Sequence, residues 1–301
     1  MVVVTTPDGA VADPKAIERL VSLPVIVIAS HAASGESGGL RSLADVVVEP
    51  DVASVDDVLR TIDANPIAST ALALLLRGSD RRLLGDGLVA ESAVYSMLQG
   101  GPEFAAWRAR TPVRRRPPDE RPAVRIERDG DQLSLVLDRP HVRNALDIGV
   151  RDGLLTGLGL AVADESITEV VIRGEGPSFC SGGDLDEFGS FDDPASAHVV
   201  RLIASIGRAI DALGPRVRAE VHGPCAGSGV ELPAFAAHVV ARPDFSAALP
   251  EVGLGLVPGA GGTVSVVRRI GRHRTALLAL GGTSIDATTA RRWGLVDEVG
   301  D

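Results

Sequence analysis

The chain is poor in aromatic residues and in cysteine, and these shortages set the first limits on its class. Of its 301 residues only 3% are aromatic and two are cysteines, Cys180 and Cys225. Two cysteines fall short of any zinc-binding pattern and favour a reducing compartment, so we expect no metal site. No run approaches the roughly 18 apolar residues of a membrane-spanning helix. The opening MVVVTTPDGA lacks the basic and apolar regions of a signal peptide, so we expect a soluble cytoplasmic protein.

Lysine is scarce as well, and acidic residues outnumber basic ones. The formal net charge is −10, and Lys15 is the only lysine. We therefore do not expect nonspecific binding to nucleic acid or to an anionic membrane surface. A polyanionic ligand would have to meet a local cluster of arginines. With 45% hydrophobic residues, mostly Ala, Val and Leu, the chain is long enough to bury one large core or two smaller ones.

A segment rich in proline and charge divides the chain. Thr111–Pro122 has no apolar periodicity, and its composition is typical of an exposed linker. We therefore predict an N-terminal segment over residues 1–110 and a larger unit over residues 123–301.

The larger unit alternates strands with helices, which indicates an α/β architecture. Ala123–Glu127 and Gln132–Asp138 flank an Asp-Gly turn, so we predict a hairpin. Asp147 is predicted to cap a long helix. A buried strand is expected at Thr168–Arg173, followed by a single helix near residues 194–213.

An internal similarity indicates a repeat that reaches into the N-terminal segment. Ala16–Asp51 and Ala209–Asp244 share the spacing of a proline and a histidine, and both end in a Val-rich strand before Pro-Asp. The alternative is that two helix–strand–loop–strand units resemble each other by chance. Glu231 has no counterpart in the first copy, which we therefore expect to be catalytically empty.

The first Gly-rich loop, Gly174–Asp184, follows a predicted strand and leads into a helix. The amides around Gly182 and Gly183 are therefore expected to point into open space and to form an anion or oxyanion site. An ordinary Gly-rich turn is the alternative. The loop lacks the third glycine of a dinucleotide fingerprint, and the sequence contains no Gly-Lys-Ser/Thr of a P-loop.

The second loop, His222–Glu231, repeats this arrangement and ends in a carboxylate. Glu231 lies three residues after Ser228, so its side chain is expected to face the same space as the Ser228 amide. Alternatively, it only complements the helix dipole. Glu251 lies in a third, apolar and Gly-rich stretch, Leu249–Thr263. A carboxyl there has a raised pKa and suits a general acid, unless it points to water.

Three segments, FCSGGD, HGPCAGSGVEL and PEVGLGLVPGAGGT, resemble the signature regions of the enoyl-CoA hydratase (crotonase) superfamily, in the same order. Arg139–Leu146 resembles the strand-to-helix motif that opens the family's fold. The resemblance spans nearly all of residues 123–301 and implies a crotonase-like spiral of ββα units.

The resemblance also implies an active site. The backbone N–H groups of Gly183 and Ser228 would form an oxyanion hole, although family members normally carry glycine at the second position. Glu231 would activate the water that attacks the β-carbon, and Glu251 would protonate the α-carbon. The residues expected to border the substrate are Arg139, His141, Arg143, Ser181, Gly182, Asp184, Leu185 and Gly227. The first three of these would face the coenzyme A phosphates or, alternatively, belong to a solvated loop.

The implied reaction is the addition of water across the 2,3 double bond of a 2-enoyl-CoA, a hydro-lyase activity in fatty acid metabolism. Coenzyme A would be part of the substrate, with no separate cofactor, and the resemblance implies a homotrimer or hexamer. Double-bond isomerisation or another acyl-CoA reaction is the alternative within the family. A non-catalytic acyl-CoA-binding homologue is a further alternative, because Ser228 departs from the family's glycine.

The N-terminal segment carries a weaker resemblance. Val55–Arg110 resembles the helices that follow the Gly-Leu-Val-Asp-Glu-Val strand in family members, whereas the present sequence ends at Asp301, directly after that motif. We predict that residues 1–110 are a degenerate, shortened rear part of a duplicated unit. Their helices would cap the catalytic core.

Overall fold

The structure is a computed structural model of the chain. It describes residues 3–5, 15, 19, 22–30, 43–114, 116, 121–191 and 193–300. The Gly/Ser-rich loop of the first predicted copy, within residues 31–42, lies outside these ranges. No helix within them is both long enough and apolar enough to cross a membrane.

The N-terminal segment combines short parallel strands with helices. Its strands are β1 (Val3–Thr5), β2 (Ile26–Ser30) and β3 (Val46–Val48). Its longer helices are α1 (Val55–Ala64), α2 (Pro66–Leu76), α3 (Leu84–Gln99) and α4 (Pro102–Arg110), with a 3-10 turn at Ser79–Arg81. Ser54 and Asp57 form a capping box that begins α1, and prolines begin α2 and α4.

The larger unit is built on a six-stranded, mostly parallel sheet. Its strands are β4 (Val124–Asp129), β5 (Gln132–Leu137), β6 (Glu169–Gly174), β7 (Val217–Val221), β8 (Pro224–Ala226), β9 (His238–Ala241), β10 (Ser246–Ala248), β11 (Ile285–Asp286) and β12 (Glu298–Val299). The large sheet has the order β12-β9-β7-β6-β5-β4, with only the β4–β5 hairpin antiparallel. A small sheet has the order β11-β10-β8. The predicted hairpin and α/β architecture are thus confirmed.

Helices cover this sheet and lead out of its loops. They are α5 (Ile148–Ala163), α6 (Pro194–Ile203), α7 (Ile206–Leu213), α8 (Ser228–Glu231), α9 (Gly262–Leu280) and α10 (Ala287–Trp293). Shorter 3-10 turns lie at Pro140–Val142, Gly214–Arg216, Pro233–Phe235 and Glu251–Leu254. Asp147 caps α5 as predicted, since its carboxylate accepts a hydrogen bond from Val150 N–H at 2.8 Å. The prediction of a single helix near 194–213 is wrong, because Ser205 accepts from Arg208 N–H and begins a second helix.

The N-terminal strands reproduce the register of three strands of the large sheet. Ile28 pairs with Val46 between β2 and β3, and Ala219 pairs with Val239 between β7 and β9. Ile28 corresponds to Ala219 when both copies are counted from the shared proline. Val46 corresponds to Val239 when both are counted back from the shared Pro-Asp. The parallel pairing of β1 with β2 also matches that of β6 with β7. This agreement supports the duplication, which stays a prediction.

The two segments contribute to one buried hydrophobic cluster. Ile62 and Leu72 of α1 and α2 belong to it together with Leu135, Leu256 and Leu277 of the larger unit. The N-terminal helices therefore bury their apolar faces against the larger unit.

The stretch between the segments is anchored more firmly than its composition predicts. The Arg114 N–H donates to the Asp186 carboxylate at 2.9 Å. The guanidinium of Arg116 pairs with Asp184 at 2.8 Å and also with Asp186. These contacts place the described part of the predicted linker beside the first Gly-rich loop.

Candidate active site

The first Gly-rich loop leaves the Gly183 amide free to face a cavity. Leu146 and Gly183 form an isolated parallel bridge, in which Leu146 N–H donates to Gly182 O and Asp184 N–H donates to Leu146 O, both at 2.8 Å. A parallel bridge of this kind uses the groups on either side of Gly183 and not its own N–H. Gly183 itself lines the cavity.

The second loop brings the Ser228 amide to the same cavity. Ser228 is the first residue of α8, where a backbone N–H has no acceptor within the helix. Among the described residues, only Arg143 and Asn144 combine a side chain with a positive φ, so Ser228 occupies its position without backbone strain. Its hydroxyl lies 3.8 Å from the Cys180 thiol sulfur. Serine is therefore compatible with the backbone geometry where the family normally has glycine.

Glu231, the last residue of α8, is buried, and two backbone amides hold it. Its Oε2 accepts hydrogen bonds from the N–H groups of Ala260 and Gly262, each at 2.8 Å. Burial raises the pKa of Glu231 to about 7, while these two hydrogen bonds oppose the rise. A carboxyl with a pKa near neutrality can exchange protons under ordinary conditions.

Glu251 opens the 3-10 turn after β10 and is also buried. Its Oε2 has no hydrogen-bond partner among the described residues. Burial, and secondly the charge of Glu231, raise the pKa of Glu251 well above its ordinary value. Of the two carboxyls, Glu251 is therefore better suited to keep its proton and Glu231 to lose it.

A single cavity of about 230 Å³ contacts all four predicted catalytic groups. Gly183, Ser228, Glu231 and Glu251 line it together. The rest of its wall is mostly apolar and includes Leu88, Tyr95, Leu146, Phe188, Val200 and Ile206. Because Leu88 and Tyr95 belong to α3, the N-terminal segment covers the cavity of its own chain.

Sequence reasoning missed one buried carboxyl at this cavity. Glu91 of α3 accepts hydrogen bonds from Gly261 N–H at 2.7 Å and from Thr263 N–H at 2.8 Å. Burial, and secondly the charge of Glu231, raise the pKa of Glu91 to about 8. The sequence did contain a signal for this residue. Glu91 lies three residues after Leu88 and four before Tyr95, so it is a charged residue on the face of the helix that becomes buried.

The basic residues predicted to face the coenzyme A phosphates lie in different environments. Arg139 is buried, where its Nη1 donates to Ala145 O at 2.8 Å and pairs with Asp147 at 3.0 Å. This placement corrects the prediction for Arg139, because a guanidinium committed to the loop interior is not presented to a phosphate. His141 and Arg143 are exposed beside it and stay candidates.

The other residues predicted to border the substrate are chain neighbours of the two oxyanion-hole positions: Ser181, Gly182, Asp184, Leu185 and Gly227. They flank the cavity without lining it. Asp184 is buried and accepts from the Arg116 guanidinium, and Leu185 O accepts from Arg108 Nη2 at 2.6 Å. These two positions therefore organise the loop rather than face the cavity.

A second residue that sequence reasoning missed, Asn144, holds the Arg139–Leu146 loop in place. It is fully buried, and its Oδ1 accepts from Arg139 N–H at 2.8 Å. Its Nδ2 donates to Glu175 O at 2.8 Å and to Ser178 O at 3.0 Å. These bonds tie the loop before α5 to the first Gly-rich loop.

Comparison with known proteins agrees with this arrangement. The family model for enoyl-CoA hydratase/isomerase matches residues 132–300. The 2,3-dehydroadipyl-CoA hydratase of Escherichia coli (strain K12) is 35% identical over 174 residues, which are 58% of this chain and 68% of that protein. An enoyl-CoA isomerase/hydratase of Mycosarcoma maydis is 35% identical over 178 residues, 55% of this chain and 64% of that protein.

Solved structures that are similar to this chain include enoyl-CoA hydratases as well. The crystal structure of an enoyl-CoA hydratase from Thermoplasma volcanium GSS1 aligns with a TM-score of 0.56 and 36% identity, over 60% of this chain and 73% of that one. The fold is thus the α/β fold of the crotonase superfamily. More narrowly, the chain belongs to the enoyl-CoA hydratase/isomerase family. It spans about two thirds of the length of these relatives, from 64% to 73%.

Proposed function

We propose that this protein hydrates 2-enoyl-CoA thioesters. The observation that carries the proposal is that two buried carboxyls and two loop amides, Glu231, Glu251, Gly183 and Ser228, line one cavity. Its apolar walls suit an acyl chain, and the similarity to proteins named as hydratases supports the same chemistry.

The two amides stabilise the charge that develops on the thioester oxygen. In this mechanism the carbonyl oxygen lies between the N–H groups of Gly183 and Ser228, which bind the enolate more strongly than the ground-state carbonyl. Losing one donor of this kind typically lowers the rate by about 10²–10³.

The two carboxyls move protons in opposite directions. Glu231 takes a proton from water while the hydroxyl bonds to the β-carbon, and the electron pair of the double bond moves to form the thioester enolate. Glu251 then delivers its proton to the α-carbon. The assignment follows from the two amides that favour ionised Glu231 and from the unpartnered oxygen that favours protonated Glu251.

Isomerisation of an enoyl-CoA is the second candidate. It is favoured by the 35% identity to the protein named as an isomerase/hydratase. An isomerase needs only one base to carry a proton between carbons, however, so the presence of both Glu231 and Glu251 favours hydration. The unstrained position of Ser228 weakens the case for a non-catalytic binder.

Several further features belong to the same proposal. His141 and Arg143 would contact the coenzyme A phosphates, and the acyl-CoA would be the only small molecule required. A homotrimer or hexamer, and an N-terminal segment derived from a duplicated unit, are proposed from the family resemblance.

Two substrates distinguish the candidates. A hydratase consumes crotonyl-CoA with loss of the enoyl-thioester absorbance, whereas an isomerase converts a 3-enoyl-CoA and produces that absorbance. Binding of both thioesters by calorimetry without turnover of either would contradict the enzymatic proposal and favour the binding protein.

A further inference from the structure

We infer that Glu91 is a positioning residue of the proposed active site, which holds the Gly259–Thr263 loop in the geometry that orients Glu231. The inference rests on the proposed function, since it assigns a role within that site. It also makes helix α3, which lies outside residues 132–300, a working part of the catalytic unit.

Glu91 makes three hydrogen bonds to the beginning of α9. Its Oε1 accepts from Gly261 N–H at 2.7 Å. Its Oε2 accepts from Thr263 N–H at 2.8 Å and from the Thr263 hydroxyl at 2.7 Å. Both oxygens are therefore used, and each bond involves a fully buried carboxyl. Three donors of the loop converge on one buried carboxyl of another helix, so this contact determines where the loop lies.

Glu231 accepts hydrogen bonds from the two loop amides that alternate with those of Gly261 and Thr263. Ala260 N–H and Gly262 N–H donate to Glu231 Oε2, while the next amide along the chain in each case donates to Glu91. Four consecutive amides are thus divided between two carboxyls. A shift of the loop that breaks the bonds to Glu91 also moves both donors that hold Glu231.

The sequence of the loop does little by itself to fix this conformation. Gly259, Gly261 and Gly262 carry no side chains, so the backbone of the loop has many alternative conformations. Gly261 adopts a φ of 108°. The beginning of a long helix attracts negative charge, which explains why two carboxyls are tolerated there. Glu91 therefore supplies a constraint that the loop sequence lacks.

A purely structural link between α3 and α9 is the competing explanation, and electrostatics distinguish the two. The titratable and charged groups that face Glu91 are Glu231, Glu251, Tyr95 and Arg201. Because the N–H groups of Ala260 and Gly262 lower the pKa of Glu231, displacing the loop by a substitution at position 91 raises that pKa. A structural link alone would not change the pH dependence of catalysis.

The test compares Glu91→Gln with Asp86→Asn, which removes one carboxylate from an exposed position of the same helix. In Glu91→Gln the side-chain oxygen can still accept on one side, but the NH2 group faces a donor on the other side and cannot accept from it. We expect kcat for crotonyl-CoA to fall by about 10–100-fold, with KM little changed. We also expect the acidic limb of the kcat–pH profile to move to higher pH, because Glu231 loses donors that favour its ionised form. Asp86→Asn should match the wild type in kcat, in KM and in the pH profile.

Hydrogen–deuterium exchange gives a second result that does not depend on turnover. The amides of Gly261 and Thr263 should exchange faster in Glu91→Gln and normally in Asp86→Asn. If Glu91→Gln does not fold, Thr263→Val, which removes one of the three donors, should show a smaller change in the same direction.

Wild-type kcat and pH profile in a folded Glu91→Gln, or unchanged exchange of the loop amides, would overturn the inference. An inactive wild-type enzyme would instead overturn the proposed function, and the exchange data would still decide the role of Glu91 in holding the loop.

Discussion

Replacing Gly227 with alanine tests how closely the second loop packs against the carboxyls of the cavity. Gly227 precedes α8 with φ 48° and ψ −120°, a conformation that residues with side chains rarely adopt. A Cβ built there would lie less than 3.0 Å from Glu251 Oε1, closer than real Cβ contacts. The substitution therefore acts on the backbone and on Glu251 together.

Both effects have magnitudes that follow from the geometry. The backbone strain is expected to cost about 1–3 kcal/mol. To restore ordinary contact at 3.4–4 Å, the Glu251 carboxyl or the loop must move. A displacement on the order of 1 Å in a catalytic group is sufficient to lower kcat by about 10²-fold. The predicted loss of activity thus exceeds what the loss of stability alone would produce.

Gly159→Ala is the matched control. Gly159 lies within α5, and a Cβ there meets nothing within 4 Å. The same chemical change should therefore raise stability by about 0.4–1 kcal/mol and leave kcat unchanged. Crotonyl-CoA hydration and thermal unfolding would be measured for both variants. A Gly227→Ala enzyme with wild-type kcat and wild-type stability would refute the account of this loop.

Two further predictions concern other buried polar groups. Burial holds the pKa of Glu231 at about 7 and that of Glu251 well above the model-compound value of 4.5, so the folded state binds protons that the unfolded state has released. Stability should consequently fall as pH rises from about 5 to 8. Glu251→Gln should reduce this fall, as measured by chemical denaturation at the two pH values. A flat stability profile in the wild type would contradict the burial argument. Asn144→Ala removes the three hydrogen bonds of a buried side chain and should lower the free energy of unfolding by about 2–4 kcal/mol. A loss below about 0.5 kcal/mol would show that water replaces these bonds.

Features that depend on short stretches of sequence were predicted correctly. The β4–β5 hairpin and the Asp147 cap arise from interactions between near neighbours, and local patterns report these. Four candidate positions were chosen from three motifs in order, and the fold brings these residues, Gly183, Ser228, Glu231 and Glu251, to one cavity. Their chemical roles stay a proposal.

Features that depend on distant partners were not predicted. Glu91 meets its partners 170 and 172 residues further along the chain, so nothing near it in sequence indicates its role. Arg139 was interpreted as a phosphate ligand because its acidic neighbours, Asp147 and Asp184, come together with it only in the fold. The break between α6 and α7 had a local signal in Ser205, which was overlooked.

The central claim is that Glu231 is the base of a hydration reaction in the cavity that it shares with Glu251. The most direct test is crotonyl-CoA hydration by the wild type and by Glu231→Gln, with thioester affinity measured by calorimetry. The account predicts hydration by the wild type and a fall of at least about 10²-fold in kcat in the variant, with affinity retained. Equal hydration by both proteins, or binding without hydration by the wild type, would contradict it.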